Sequence, residues 1–255
     1  METKLNKAIE AAILSGKAIM EVYETQFEVY TKSDDSPLTQ ADLRASNIIK
    51  EHLKDTDLPF VSEEDLPTDR SGFASYWLVD PLDGTKEFVK RNGEFTVNIA
   101  LIDNKIPILG VIYAPVTDTL WYAIINKGAF KTLHASHPEA QALPLEKCHE
   151  PRPFTVLVSR SHRCQEVDDY IETRLRPMHP DLVIDTQGSS LKFARLAEGS
   201  ADVYVCYSKT KEWDTAAADA ILCAAGGKVL NINDGQPLQY GKEDYPNPPF
   251  VAYSV

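Results

Sequence analysis

No run of this 255-residue chain stays apolar for the roughly 20 residues a membrane-spanning helix needs. The opening stretch, "METKLNKAIEAAILSGK", lacks the apolar core of a signal peptide, so a secretory leader is not expected. Cysteine is sparse. Cys148, Cys164, Cys206 and Cys223 are far apart, with no CxxC pair and no zinc-ligand spacing. A chain of this length needs no disulfide staples, so the four read as free thiols of a reducing cytoplasm. Positive charge is in deficit: 26 Lys and Arg stand against 38 Asp and Glu, a net −12. Such a surface argues against a nucleic-acid duplex or an anionic membrane as main partner. A small anionic substrate stays open, provided local cations invert the field. There is no GxxxxGK[ST] loop, which argues against a nucleoside-triphosphate motor or kinase. No GxSxG, HCx5R or DxDx[TV] motif offers a covalent nucleophile. Repeats and low-complexity segments are absent too.

What is present is ordinary globular composition, 43% hydrophobic and 25% charged. Leu5, Ile9, Ala12, Ile13, Gly16, Ile19, Met20 and Tyr23 follow helical spacing, which predicts an amphipathic helix over 3–24. "VYTKSDDSP" breaks it, and Thr39 opens a second helix. Strands are expected at 59–65 and 76–80. Three neighbouring antiparallel strands follow at 95–102, 107–116 and 119–126, with a turn at Asn126–Gly128. Periodicity is lost over 134–153, where a domain boundary is expected: an N-terminal α+β domain at 1–133, a linker at 134–152 and a C-terminal α/β domain at 153–255. His134 and His137 fall in that loop-like stretch and read as loop residues rather than metal ligands. Beyond it come strands at 154–160, 182–188 and 201–207, helices at 164–175, 189–199 and 213–227, and two closing strands from Lys228 and Phe250. The fold class expected is a layered α+β/αβ sandwich.

The chemistry concentrates in "YWLVDPLDGTKEF", residues 76–88. Pro81 keeps Asp80 out of helical geometry, so Asp80 is expected extended at the end of its strand. Gly84 permits a tight turn or close approach to a ligand, and Thr85 opens a short helix whose free N–H groups favour an anion. Two carboxylates and an anion cradle repel unless divalent cations lie between them. Magnesium suits the task, because it takes hard oxygen ligands and completes its shell with phosphate oxygens and water. "DPLDG" alone also reads as a plain turn, Glu63–Glu64 as a solvated acidic loop, and Asp214 as a helix N-cap. Asp42 with Thr39 reads as a capping box.

Taken together and in order, "VSEED", "DPLDGTKEF" and "WDTAAADAI" resemble the three motifs of the inositol monophosphatase superfamily, magnesium-dependent and lithium-sensitive phosphatases. The form "DPLDGTKEF" is that of the CysQ-type 3′(2′),5′-bisphosphate nucleotidases. "KSDDSPLTQADLRAS", "VSRSHR" and "GSSLKFARLAEGSADVY" resemble that branch as well, so the likeness covers nearly the whole chain. The resemblance implies an αβαβα sandwich and two or three magnesium ions per site. It implies Glu63, Asp80, the Leu82 carbonyl, Asp83 and Asp214 as metal ligands. Glu63 and the Thr85 hydroxyl would orient the attacking water, with Asp42 accepting from Thr85 and Glu64 in an outer role. Gly84 and Thr85 would give N–H groups to the scissile phosphate. Ser159 and His162, with Arg160 and Ser161 beside them, and Gly188, Ser189, Ser190 and Lys192 would meet the rest of a nucleotide, alongside Glu63, Leu82, Asp83 and Asp214. The alternative for these last residues is a polar loop and a surface lysine.

One departure stands out. The branch often carries an arginine after the strand matching "DVYV"; here Cys206 holds that place, with Lys209 and Lys211 nearby. The implied activity is hydrolysis of 3′-phosphoadenosine 5′-phosphate to AMP, with its sulfated parent as a second substrate, clearing a by-product of sulfate assimilation. Alternatives are an inositol or sugar monophosphatase, and a non-catalytic phosphate or nucleotide sensor. The expected partner is thus a small phosphate ester, with no nucleic acid. The expected location is the cytoplasm, or the periphery of the inner face of a bacterial membrane, as monomer or homodimer.

Overall fold

The computed structural model describes residues 1–31, 37–67, 69–70, 72–134, 139–145 and 151–255. His137, Cys148 and parts of the expected linker lie outside them. Helix α1 (Glu2–Tyr23) lays Ala8, Ala11, Ala12, Ser15, Gly16 and Ile19 against the body of the protein. Small residues let it approach closely: a Cβ on Gly16 would meet the Tyr113 ring at 2.4 Å. A short hairpin, β1 (Val29–Thr31) with β2 (Pro37–Thr39), leads into α2 (Gln40–Leu53). The hairpin was not expected; "VYTKSDDSP" was read as a break alone.

Next comes a seven-stranded sheet in chain order: β3 (Phe60–Ser62), β4 (Ser75–Asp83), β5 (Thr96–Asp103), β6 (Ile106–Ala114), β7 (Thr119–Ile124), β8 (Gly128–Leu133) and β9 (Gln141–Ala142). Every neighbouring pair is antiparallel except β3 with β4. Both faces of this sheet are covered, so its strands read as continuous apolar runs rather than alternating ones. Trp77 and Val79 face α1 and α2, whereas Tyr76 and Leu78 face the other way.

Helix α3 (Thr85–Val89) follows β4. After β9 come β10 (Thr155–Ser159), α4 (Gln165–Tyr170) running into a π-helical turn, β11 (Val183–Gln187), α5 (Leu191–Glu198), β12 (Val203–Cys206), α6 (Glu212–Ala224), β13 (Lys228–Asn231) and β14 (Phe250–Tyr253). A five-stranded sheet runs in the order β11-β10-β12-β14-β13, with β10 parallel to both its neighbours and β14 antiparallel to both of its own. Gly199 ends α5 in the left-handed conformation at φ 77°.

The layers follow from which faces are buried together. One core joins α1 and α2 to the large sheet. A second joins the large sheet's other face to α5, α6 and the small sheet. A third joins the small sheet to α4. The architecture is an αβαβα sandwich.

Candidate active site

The first finding at the cluster is a correction. Asp80 does not end its strand. β4 runs on through Pro81 to Asp83, with its register against β5 shifting between Asp80, opposite Asn98, and Asp83, opposite Thr96. Pro81 has no N–H to give to β5, so the ladder can continue only by such an irregularity. The bulge gives three consecutive jobs to three residues. Asp80 is buried and accepts the Leu82 N–H at 3.1 Å. The Leu82 carbonyl lies 3.2 Å from the Thr85 hydroxyl. Asp83 accepts from Asn98 Nδ2 at 3.1 Å and from the Ser190 N–H at 2.6 Å. Gly84 then turns the chain at φ 92°, where a Cβ would meet the Glu94 carbonyl oxygen at 2.9 Å.

Around this turn opens a cleft of about 230 Å³. Glu63, Asp80, Leu82, Asp83, Gly84, Thr85 and Asp214 line it from one side. Ser159, His162, Ser189, Ser190 and Lys192 line it from the small sheet and α5. The helices α3, α5 and α6 all start at this cleft, and helix starts favour negative charge, although the Ser190 N–H is already given to Asp83 and the Glu212 N–H to the Tyr245 carbonyl.

Two sequence-predicted residues lie behind the cleft wall. Asp42, 2% exposed, holds Thr39 through its own Oδ2, from N at 2.8 Å and from Oγ1 at 2.7 Å. Its Oδ1 is 3.2 Å from the Thr85 hydroxyl. The capping box and the contact with Thr85 therefore coexist on two oxygens of one side chain. Gly188 is not among the lining residues; its N–H goes to Glu94 at 2.7 Å. Arg160 also turns to Glu94, as a bidentate pair at 2.6 and 2.7 Å, and Ser161 donates to Glu87 at 2.5 Å.

The electrostatics reflect crowded acids under little water. Burial pushes the Asp83 carboxyl up to about 6, opposed by Lys192 and by the Asn98 and Ser190 hydrogen bonds. Asp214 is raised well above the usual range, first by burial and then by the charges of Asp83 and Glu63. Asp214 is not the N-cap of α6, which is Lys211, but the third residue of the helix: its Oδ2 accepts the Lys211 N–H at 2.7 Å while the residue lines the cleft. Lys192, 5% exposed, donates to the Ser189 carbonyl at 2.6 Å and sits 5.0 Å from the centre of the Tyr204 ring. Burial lowers it while Asp83 pulls it back up. His162 is lowered by burial and by Lys86, whose Nζ is 2.8 Å from Nε2.

Such a donor set, carboxylates and one carbonyl, is all hard oxygen. Among the described residues no three acidic, histidine or cysteine side chains converge at metal-holding spacing. Oxygen donors of this kind suit a hard divalent cation such as magnesium, which keeps water and phosphate oxygens in its shell.

Several cleft residues have no site role assigned from the sequence: Lys86, Phe193, Tyr204 and Phe250 all line the cleft. Lys209 and Lys211 line it as well. Cys206 ends β12 buried, with Sγ 3.2 Å from Ser208 Oγ.

Comparison with known proteins places the chain in a family. The model of the inositol monophosphatase family matches residues 1–252. The chain is 42% identical over 253 residues to the 3′(2′),5′-bisphosphate nucleotidase CysQ of Escherichia coli strain K12, covering 96% of this chain and 98% of that one. The crystal structure of CysQ from Bacteroides thetaiotaomicron superposes with a TM-score of 0.90 at 40% identity, covering 100% of this chain and 98% of the other. An IMPase of Thermotoga maritima shares the fold, with a TM-score of 0.80 at 22% identity over 99% of this chain and 92% of its own.

Proposed function

Since the chain belongs to the inositol monophosphatase family, we propose that it is a 3′(2′),5′-bisphosphate nucleotidase that hydrolyses 3′-phosphoadenosine 5′-phosphate to AMP and phosphate. The observation that carries the reading is likeness to CysQ proteins along nearly the entire chain. The cleft supplies the matching chemistry. The family is magnesium-dependent in general, and Glu63, Asp80, the Leu82 carbonyl, Asp83 and Asp214 are the groups we assign to two or three magnesium ions. When bound, such ions lower the pKa of a coordinated water and neutralise charge on the entering and leaving oxygens.

The chain's own residues do the rest. The Thr85 hydroxyl stands 3.2 Å from both Asp42 Oδ1 and the Leu82 carbonyl; in this reading its proton goes to Asp42, and its oxygen lone pairs are kept for a water on the cleft side. Glu63 accepts from the same water. The N–H groups of Gly84 and Thr85 hold the phosphoryl oxygens at the start of α3. No covalent intermediate is needed, in keeping with the missing nucleophile motif. Ser159, His162, Ser189, Ser190 and Lys192, with Lys86 and the Lys209–Lys211 segment, offer donors and cations to the nucleotide's second phosphate and ribose. Lysines there hold phosphate as point charges, not as an arginine fork.

Phosphate release across a panel tests this: 3′-phosphoadenosine 5′-phosphate, its sulfated parent, inositol 1-phosphate and a sugar monophosphate, each with and without magnesium. The bisphosphate nucleotide is expected to be fastest and only with the ion. Faster turnover of inositol 1-phosphate overturns the substrate; no release from any ester overturns the activity.

A further inference from the structure

Two residues before Asp214 lies a carboxylate that the reaction does not use. Glu212 opens α6 and is fully buried. Four donors converge on it. Arg70 Nη1 stands at 2.8 Å and Lys242 Nζ at 2.8 Å. The backbone N–H groups of Gly241 and Lys242 stand at 3.1 and 3.0 Å. Arg70 also donates to the Lys242 carbonyl and lies 4.0 Å over the Tyr245 ring.

These partners come from two separate places. Arg70 belongs to the connection between β3 and β4, downstream of Glu63. Lys242 belongs to the loop between β13 and β14. The same loop grips the segment ahead of Glu212: the Glu212 N–H goes to the Tyr245 carbonyl at 3.0 Å, and Asn247 Nδ2 to the Lys211 carbonyl at 2.7 Å. One buried anion thus pins the first turn of α6 to two loops that reach it from elsewhere in the chain.

Stability is a poor reason for such an arrangement. Burying Glu212 and Arg70, with Lys242 still 26% exposed, carries a desolvation cost of several kcal/mol per buried ion, and well-packed apolar side chains often do as well or better. What charge pairs of fixed geometry do give is register. The turn held here carries Asp214, and the residues just before it, Lys209 to Lys211, form a wall of the cleft.

We propose that Glu212 is a positioning residue: clamped by Arg70 and Lys242, it fixes Asp214 and the adjacent cleft wall where the divalent ion and substrate meet them. The inference rests on the metal-dependent reading above. It requires that loosening Glu212 weaken ion binding before it touches the bond-breaking step itself. Glu212→Gln keeps the shape but presents one acceptor oxygen to four donors and leaves two cations uncompensated.

The test titrates manganese, a paramagnetic substitute for magnesium, into the whole substrate-free chain and reads free ion by electron paramagnetic resonance. KM and kcat at saturating metal are measured beside it, and circular dichroism reports folding. Glu212→Gln is expected to raise the manganese dissociation constant about 10-fold or more, the scale seen when outer-shell support of a metal site is lost, and to raise KM more than it lowers kcat. A folded Glu212→Gln with parental manganese affinity and KM overturns the inference. Should that variant not fold, Lys242→Met, which removes one donor from the surface side, is held to the same criterion: weaker manganese binding supports the inference, and parental binding overturns it. A parental chain that binds no manganese overturns the metal reading itself, and the inference with it.

Discussion

The Asp83 carboxylate accepts a hydrogen bond from the Ser190 N–H at 2.6 Å, although 107 residues separate the two. Asp83 ends a strand of the large sheet, and Ser190 caps the start of α5 in the layer between the sheets. The Ser190 hydroxyl goes on to Asn98 Oδ1 at 2.8 Å, and Asn98 Nδ2 returns to Asp83. The side chains of Asp83 and Asn98, with the hydroxyl and backbone N–H of Ser190, close a ring that orients one Asp83 oxygen and leaves the other for the cleft.

Asp83→Asn tests that free oxygen. The amide preserves size and the contact with Ser190, but it removes a negative charge from an assigned ion site. Turnover of the bisphosphate nucleotide is expected to fall by about 10³-fold or more, since several kcal/mol of charge stabilisation is lost. Because burial already disfavours the Asp83 charge, the variant should fold at least as stably without metal. Phosphate release and a thermal melt in EDTA check the two halves. Activity near the parental level would remove Asp83 from the site.

Thr85→Val deletes the hydroxyl that lies between Asp42 and the cleft while keeping the β-branched shape. If that hydroxyl orients the attacking water, kcat should drop by roughly 10²–10⁴-fold, the usual range for positioned acid–base groups. KM should move little, because the Gly84 and Thr85 N–H groups remain. Thr85→Ser should recover much of the loss. Steady-state kinetics separate these outcomes; a rise in KM at unchanged kcat would mean that the hydroxyl only binds substrate.

Asp219 offers a pH experiment away from the cleft. It is 6% exposed on α6, accepting from Cys223 Sγ at 3.1 Å and from the Tyr240 hydroxyl at 2.9 Å, with burial raising it from 3.8 to about 6. A raised carboxyl favours folding in its protonated form. Its contribution is complete below about pH 4 and is lost as pH rises through about 6. That rise corresponds to about 3 kcal/mol. Asp219→Asn, still able to accept one hydrogen bond, should therefore be more stable than the parent by about that order at pH 8, with the gap closing towards pH 4. Denaturant melts across the range measure it, and a gap independent of pH would refute the assignment.

Much of this site could be read in the chain, because its signals are local. Asp80, Leu82, Asp83, Gly84 and Thr85 fall within six consecutive positions, and Asp214 follows a tryptophan at a helix start. What could not be read is set by contacts distant in sequence. That β4 continues past Pro81 depends on Thr96 across the sheet. That Gly188 serves Glu94, and Arg160 likewise, depends on a loop over 60 residues upstream. The last two strands of the large sheet, β8 and its edge strand β9, are not legible in the sequence: Gly128–Leu133 mixes buried and exposed residues irregularly, and β9 is two exposed residues. Nothing in the sequence singles out Glu212; only its four donors distinguish it.

Gly110 gives the last prediction, linking packing to the site. It sits in β6 where α6 crosses the large sheet, and a Cβ there would meet the Ala217 carbonyl oxygen at 2.2 Å and the Ala220 Cβ at 3.0 Å. No rotamer change relieves a clash with helix backbone, so Gly110→Ala must push α6 off the sheet. Overpacking of this kind costs about 1–3 kcal/mol, more where backbone has to move. The same helix carries Asp214 in its first turn and is pinned there through Glu212. A displaced α6 should therefore lower the melting temperature and raise the magnesium concentration needed for half-maximal activity together. Gly110→Ala with a lower melting point but an unchanged magnesium requirement would show that the pinned first turn holds its place while the rest of the helix shifts, and would separate the packing of α6 from the geometry of Asp214.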